Sequence, residues 1–225
     1  MNRVLYLSVF TALIALNCKG QLRNSNWIVA EPAWLNFAGT NLANFPLAWA
    51  PTPRNATMSD TLGNVLMVAD ETGLHDATFS PMPNGAAAAL GWPSELAALL
   101  ILPKPGNPDR YGVFINTRED LKQAGYVEVD MTLNGGLGDA VGTTIWYASN
   151  ITAKLAATPH QNGSDYWVMQ HEDGTDSFLA FQWASSGLEP PVISHAGTPS
   201  LPTVYPSTSD DQWAPMKFNM SGEIL

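Results

Sequence analysis

Two stretches of this chain are copies of one module, and each copy is apolar on both faces. The first reads LLILPKPGNPDRYGVFINT and then GYVEVDMTLNGGLGD; the second reads KLAATPHQNGSDYWVMQHE and then DSFLAFQWASSGLEP. Pro103 matches Pro159 at an offset of 56, Val113 matches Val168 at 55, Tyr126 matches Phe178 at 52, and Leu137 matches Leu188 at 51. The drift falls between strands, where loops tolerate changes of length. The first copy carries an insert at 118–124 where the second has the tight turn Glu172-Asp173-Gly174-Thr175. A module of this kind cannot bury its surface alone, so like modules must stack against one another.

Each copy supplies four strands. In the first they fall near 97–102, 110–116, 126–133 and 140–144; in the second near 155–158, 166–171, 178–184 and 192–195. The third strand of the first copy alternates, with Val127, Val129, Met131 and Leu133 on one face and Tyr126, Glu128, Asp130 and Thr132 on the other. The second strands do not alternate in polarity. Gly112 and Phe114 oppose Tyr111 and Val113, and Trp167 and Met169 oppose Tyr166 and Val168, so both faces need cover. A four-stranded unit of about 50 residues packed between similar units describes a β-propeller blade.

The fold class read from this pattern is all-β: four-stranded antiparallel repeat units forming an incomplete β-propeller after an N-terminal signal peptide. Residues 1–20 are the signal peptide and 21–56 an irregular segment with one short strand at 27–29. Residues 57–225 form the partial propeller, with two whole units near 95–144 and 153–198 and incomplete units at each end. Residues 64–69 (NVLMVA) read as a strand after a turn at 59–64, and 79–85 (FSPMPNG) reads as a loop. Two segments compete with the all-β reading. Residues 94–102 are rich in helix formers, yet align with the first strand of the module. Residues 117–125 (TREDLKQAG) have an N-capping Thr and a closing Gly, and suit one or two helical turns within a loop. The last residues, 213–225, look like the opening strand of another blade, so the chain reads as the front of a longer protein or a truncated product.

The start of the chain is a targeting segment. Arg3 precedes a 13-residue uncharged run, Val4 to Leu16, that is short for a bilayer span and suits a signal-peptide core. Small residues at Cys18 and Gly20 place cleavage between Gly20 and Gln21. A lipoprotein acylated at Cys18 is the competing reading, against which Asn17 stands where a small residue belongs. Cleavage removes Arg3 and Lys19, two of the 10 basic residues, leaving 8 against 20 acids and a net charge of −12 with no cysteine. That charge argues against nucleic acid and anionic lipid as partners. No membrane span is expected in the mature chain, and export through the signal peptide would place it outside the cell or on its surface.

At these motifs the chain resembles the N-terminal propeller region of large cell-surface proteins of the Bacteroidota. These are often labelled gliding-motility-associated and commonly end in a type IX secretion sorting domain. The matching segments are ATMSDTLGNVLMVAD, MPNG at 82–85, LILPKPGNPDRYGVF, VDMTLNGGLGD, KLAATPHQNGSDYWVM and MKFNMSGEIL, over about 57–225 with a weaker match at 26–37. Here Val65–Asp70 is followed by Glu71-Thr72-Gly73 where the family has an aromatic strand and an Asp-Gly turn; its further blades, adhesin-like repeats and sorting signal are absent. The resemblance implies a surface or secreted binding module and carries over no catalytic residues.

The residues themselves offer little catalytic chemistry. His75, His160, His171 and His195 make no His-Glu-x-x-His pattern, and structural hydrogen bonding is the favoured role. Ser185 and Ser186 lie in no Gly-x-Ser-x-Gly elbow. Gly135-Gly136-Leu137-Gly138 follows a strand but precedes no helix, so it reads as a turn rather than a phosphate loop. Asp109, Asp165, Asp173 and Asp176 are the candidates for a glycosidase pair, with turn capping as their default. Aromatics on loops stack on sugars or anchor interfaces, which selects Trp146, Trp183 and Trp213 as ligand-binding candidates against packing between blades. The expected function is non-catalytic binding of a surface glycan or protein partner, in adhesion or gliding, with no cofactor and no metal. A propeller-type extracellular hydrolase or lyase acting on glycans, and a mere scaffold, are the alternatives.

Overall fold

The computed structural model describes residues 21–29, 33–37, 43–46, 51–94, 96–118, 120–199 and 216–218. Within them the chain builds four antiparallel sheets, one after another along the sequence. The first holds β1 (Asn26–Val29), β2 (Ala33–Asn36) and β3 (Ala43–Pro46). The second holds β4 (Asn55–Ser59), β5 (Val65–Asp70), β6 (Gly73–Asp76) and β7 (Pro81–Ala86). The third holds β8 (Leu96–Lys104), β9 (Asn107–Thr117), β10 (Gln123–Asp130) and β11 (Asp139–Ser149). The fourth holds β12 (Ile151–Pro159), β13 (Tyr166–Glu172), β14 (Ser177–Ala184) and β15 (Gly187–Leu188), with β16 (Val192–His195) also pairing to β14. Apart from β16, the strands of each sheet therefore pair with their neighbours in sequence, which short turns permit only for antiparallel strands.

The register shows the third and fourth sheets to be like units. Ile101 pairs with Val113, and Ala157 with Val168, so these positions keep the offsets of 56 and 55 seen in the sequence. In the next hairpin Val127 pairs with Val113 and Phe181 with Val168, an offset of 54. The structural partner of Tyr126 is therefore Ala180 rather than Phe178. The alignment slipped by two residues, which kept the face because side chains repeat every two.

The two-faced strands are covered as their composition demands. Tyr111, Val113 and Ile115 of β9 join Val127 and Val129 of β10 in one buried cluster with Met67, Leu74 and Met82 of the second sheet. Phe114 and Tyr126 point the other way, into a second cluster with Val168, Phe181 and Trp183 of the fourth sheet. Ile28 of the first sheet packs on Val65 and Val68 of the second. On the far face of the fourth sheet, Ala156 and Met169 are covered by Met216, with Phe218 beside them. The first strands β1, β4, β8 and β12 lie next to one another in that order. Stacking of meanders with first strands adjacent is blade-like packing; among the described residues the sheets form an open stack and no closed ring.

Buried amides bind sheet to sheet. Asn116 of β9 donates to Gln170 Oε1 of β13 at 2.8 Å and receives Gln170 Nε2 at 3.1 Å, while the same nitrogen reaches the Tyr147 hydroxyl at 2.7 Å. Asn26 donates to Ser59 Oγ at 2.8 Å and to the Gly63 carbonyl at 2.7 Å, which ties the first sheet to the second. Asp139 accepts the Asn84 backbone N–H at 2.8 Å and its side-chain amide at 2.6 Å, which ties the second to the third.

Several local expectations change. Residues 79–85, expected as a loop, contain most of β7. This strand pairs only through β6, with a register shift between Gly73 and His75, and an edge position tolerates Pro81 and Pro83. The segment at 94–102, expected as the first strand of the module despite its helix formers, forms β8 from Leu96 onward, where pairing with β9 outweighs helix propensity. At 117–125 there is one turn, with Lys122 N–H bonded to the Arg118 carbonyl, and β10 starts at Gln123. That turn meets the second copy: Lys122 Nζ lies 2.6 Å from Asp173 Oδ2, on the tight turn where the insert has no counterpart. The unit expected as partial near 57–69 is a full four-stranded sheet, and the segment 21–56 holds a sheet of its own. No helix among the described residues is long and apolar enough to cross a membrane. The signal peptide expected at 1–20, with Cys18 and Gly20, lies outside the described residues; Gln21 opens a short 3-10 turn.

Candidate functional site

The contact between the third and fourth sheets is an aromatic cluster, and its solvent edge opens into a groove. Phe114, Tyr126, Tyr147, Phe181 and Trp183 come together because alternate residues of β9, β10, β11 and β14 all face the same interval. Trp183 lies edge-on to Phe114 at 5.3 Å and to Tyr126 at 5.2 Å; Tyr147 meets Phe181 at 4.9 Å and 72°. Non-parallel rings at these separations are the favoured aromatic geometry.

The groove has a volume of about 290 Å³ and is lined by Tyr126, Ile145, Tyr147, Phe181, Leu188 and Glu189. Pro190 and Pro191 form its outer wall as the chain leaves β15. Ile145 is 54% exposed although it sits beside buried rings. The Tyr147 hydroxyl is bound inward by Gln170. Burial drives its pKa up against that hydrogen bond. Burial also raises the Tyr126 pKa, with the Glu128 charge adding to it, so both phenols stay protonated. Glu189 accepts a hydrogen bond from the Ser186 hydroxyl at 2.5 Å. A neighbouring hollow, lined by Gln123, Trp146, Tyr147, Ala148 and Ser149, shares Tyr147 with the groove.

The candidate tryptophans separate. Trp146 is 38% exposed and borders this second hollow. Trp183 has no exposed surface; its indole N–H donates to the Pro103 carbonyl at 3.0 Å, so it holds two sheets together and offers nothing to a ligand at the surface. Trp213 lies outside the described residues. Sequence reasoning passed over Tyr126, Tyr147 and Phe181. Strands apolar on both faces give no sign of which face meets the solvent edge.

The four candidate carboxylates stand apart in their roles. Asp165 receives Asn162, Ser164 and Gln182 side chains, and those hydrogen bonds lower its pKa. Asp173 is paired with Lys122, and Asp176 lies 2.9 Å from His195 Nδ1. Asp109 is exposed and borders a hollow of about 200 Å³ with Arg23, Asp60 and Tyr111. His171 is buried against Phe178 at 4.8 Å, and burial lowers its pKa. No three His, Cys, Asp or Glu side chains gather as a metal site among the described residues. A hollow of about 430 Å³ lies where β1 meets β4 and is lined by Asn26, Trp27 and Asn55 among others. Its amides already serve the fold: Asn26 joins the sheets, and Asn55 donates to the Thr52 carbonyl at 3.1 Å.

These features define the class as an all-β protein of stacked, blade-like sheets with an aromatic groove at one inter-sheet edge. No protein-family model, curated protein or solved structure matches the chain.

Proposed function

We propose that the chain is an exported, non-catalytic binding module of the cell surface, acting in adhesion or gliding, and that it holds its partner in the groove between the third and fourth sheets. The groove carries this reading: exposed Ile145 lies beside an aromatic floor of Tyr126, Tyr147 and Phe181, and Trp146 borders the neighbouring hollow that shares Tyr147, an arrangement suited to capture rather than bond cleavage. The Arg3-led apolar run at the N-terminus supports export, with Gln21 as the first mature residue.

The mature chain, residues 21–225, is the material for the test. Immobilised, it should retain ligands from panels of glycans, peptides and intact cells. Ile145→Asp and Trp146→Ala should weaken that retention at least tenfold while leaving the thermal midpoint within a few degrees. Silence across all panels sinks the proposal. So does binding that both substitutions leave unchanged.

A further inference from the structure

The groove brings together chemistry that suits one kind of guest. Its walls are apolar at Ile145, Leu188 and the two prolines, and its floor is ring edges and faces. Two polar groups break that surface. Tyr126 is only 7% exposed, and its hydroxyl makes no hydrogen bond among the described residues. A Cβ placed on Gly187 would lie 4.0 Å from that hydroxyl, so it sits beside β15, two residues from Glu189. Glu189 forms no ion pair among the described residues, and its one side-chain partner is the neutral Ser186. A guest placed in the groove can bond that hydroxyl.

The interior of the same cluster holds a worked example. Lys104 Nζ lies 5.5 Å from the centre of the Trp183 ring while it bonds to the Glu128 carboxylate. Ring, carboxylate and ammonium therefore already meet once in this aromatic cluster. The groove has the rings and the carboxylate without the cation. The whole chain is acidic, with a net charge of −10, which draws basic partners toward it.

We infer that the groove is a lysine pocket, filled by a lysine side chain from a basic segment of a partner protein. The methylenes of that side chain lie along Ile145 and Leu188. Its ammonium faces the aromatic floor, bonds to the Tyr126 oxygen and pairs with Glu189. This deepens the binding-module reading above and rests on it.

The test is calorimetric titration of the full mature chain with four probes: a glycine-lysine hexapeptide, its norleucine and arginine counterparts, and phosphocholine. The lysine peptide should bind roughly tenfold more tightly than the norleucine peptide. Arginine should bind more weakly than lysine, because its planar fork is wider than a single ammonium. Glu189→Gln should weaken lysine binding about tenfold and Tyr126→Phe by a few fold, whereas Asp109→Asn, with the same charge change elsewhere, should have little effect. Equal binding of lysine and norleucine peptides overturns the inference, as does an equal response to the Glu189 and Asp109 substitutions. Tighter binding of phosphocholine than of lysine also overturns it and assigns the groove to a quaternary-ammonium headgroup. If all four probes are silent while the broader panels yield a ligand dependent on Ile145 and Trp146, the lysine assignment falls and the binding module stands. Silence in both sinks both.

Discussion

Single residues decide how closely the sheets approach. Gly112 lies beneath the Trp183 indole, and a Cβ there would fall 2.9 Å from Trp183 Cζ2 and 3.0 Å from Phe114 Cε2. Neither ring has room to retreat, since both side chains are fully buried. Gly112→Ala should therefore lower stability by about 1–3 kcal/mol, read from the denaturant midpoint, and alter tryptophan fluorescence at the same time. An unchanged midpoint would show that the sheets separate freely. Asp70 is a different case. It is fully buried, which alone would raise its pKa, but hydrogen bonds from His75, Thr72 and the Thr52 backbone outweigh burial and hold it down at about 2. Its folded value lies below its ordinary 3.8, so its contribution is complete above that value and fades as pH falls through about 2. Asp70→Asn should cost about 1–3 kcal/mol at pH 7, because an amide nitrogen meets N–H donors. The gap between the variant and the natural chain should narrow as the pH drops from about 5 towards 2. A gap that stays constant over that range would show that the Asp70 charge does not matter.

Among elements, the amide pair Asn116–Gln170 is the most informative link, because β9 and β13 belong to different sheets and touch through it. In a double-mutant cycle, Asn116→Ala and Gln170→Ala should show a coupling of about 0.5–3 kcal/mol. Additive losses would mean that each amide serves only its own sheet. The strands that make this link were legible in the sequence, because β9 and β13 carry apolar residues on both faces and flanking turns mark their ends. β8 was legible only through its alignment with β12; its own residues favour helix, and pairing with β9 decides otherwise. β7 was hidden by its prolines, and β6, four residues long, is too short to show a period. The candidate site was read less well. Trp146 was chosen as a loop aromatic but lies within β11 and is partly exposed, whereas Trp183 has the same character in sequence and is wholly interior. What separates them is which side of a sheet meets another sheet, and that is a property of stacking rather than of local pattern.

At the scale of the molecule, stability should follow the stack. The third sheet has a buried cluster on each face, one shared with the second sheet and one with the fourth. Among the described residues, the fourth sheet is covered on its outer face by Met216 and Phe218, and β16 leaves Val192 and Ile193 more than half exposed. In a row of units that touch only their neighbours, opening costs the intrinsic stability of a unit plus each interface it breaks. Opening the third sheet breaks two large interfaces; among the described residues, fraying β16 breaks no buried cluster. Native-state hydrogen exchange should therefore be slowest in β9 and β10, intermediate in β5 and β13, and fastest in β16. The same order should persist in mild denaturant, with β16 exchanging by local opening while β9 exchanges only through global unfolding. Equal protection along the chain would mean that the four sheets unfold as one cooperative body. Faster exchange in β9 than in β16 would mean that the aromatic cluster between the third and fourth sheets does not hold them together, and the groove at its edge would then have no rigid floor on which to fix a ligand.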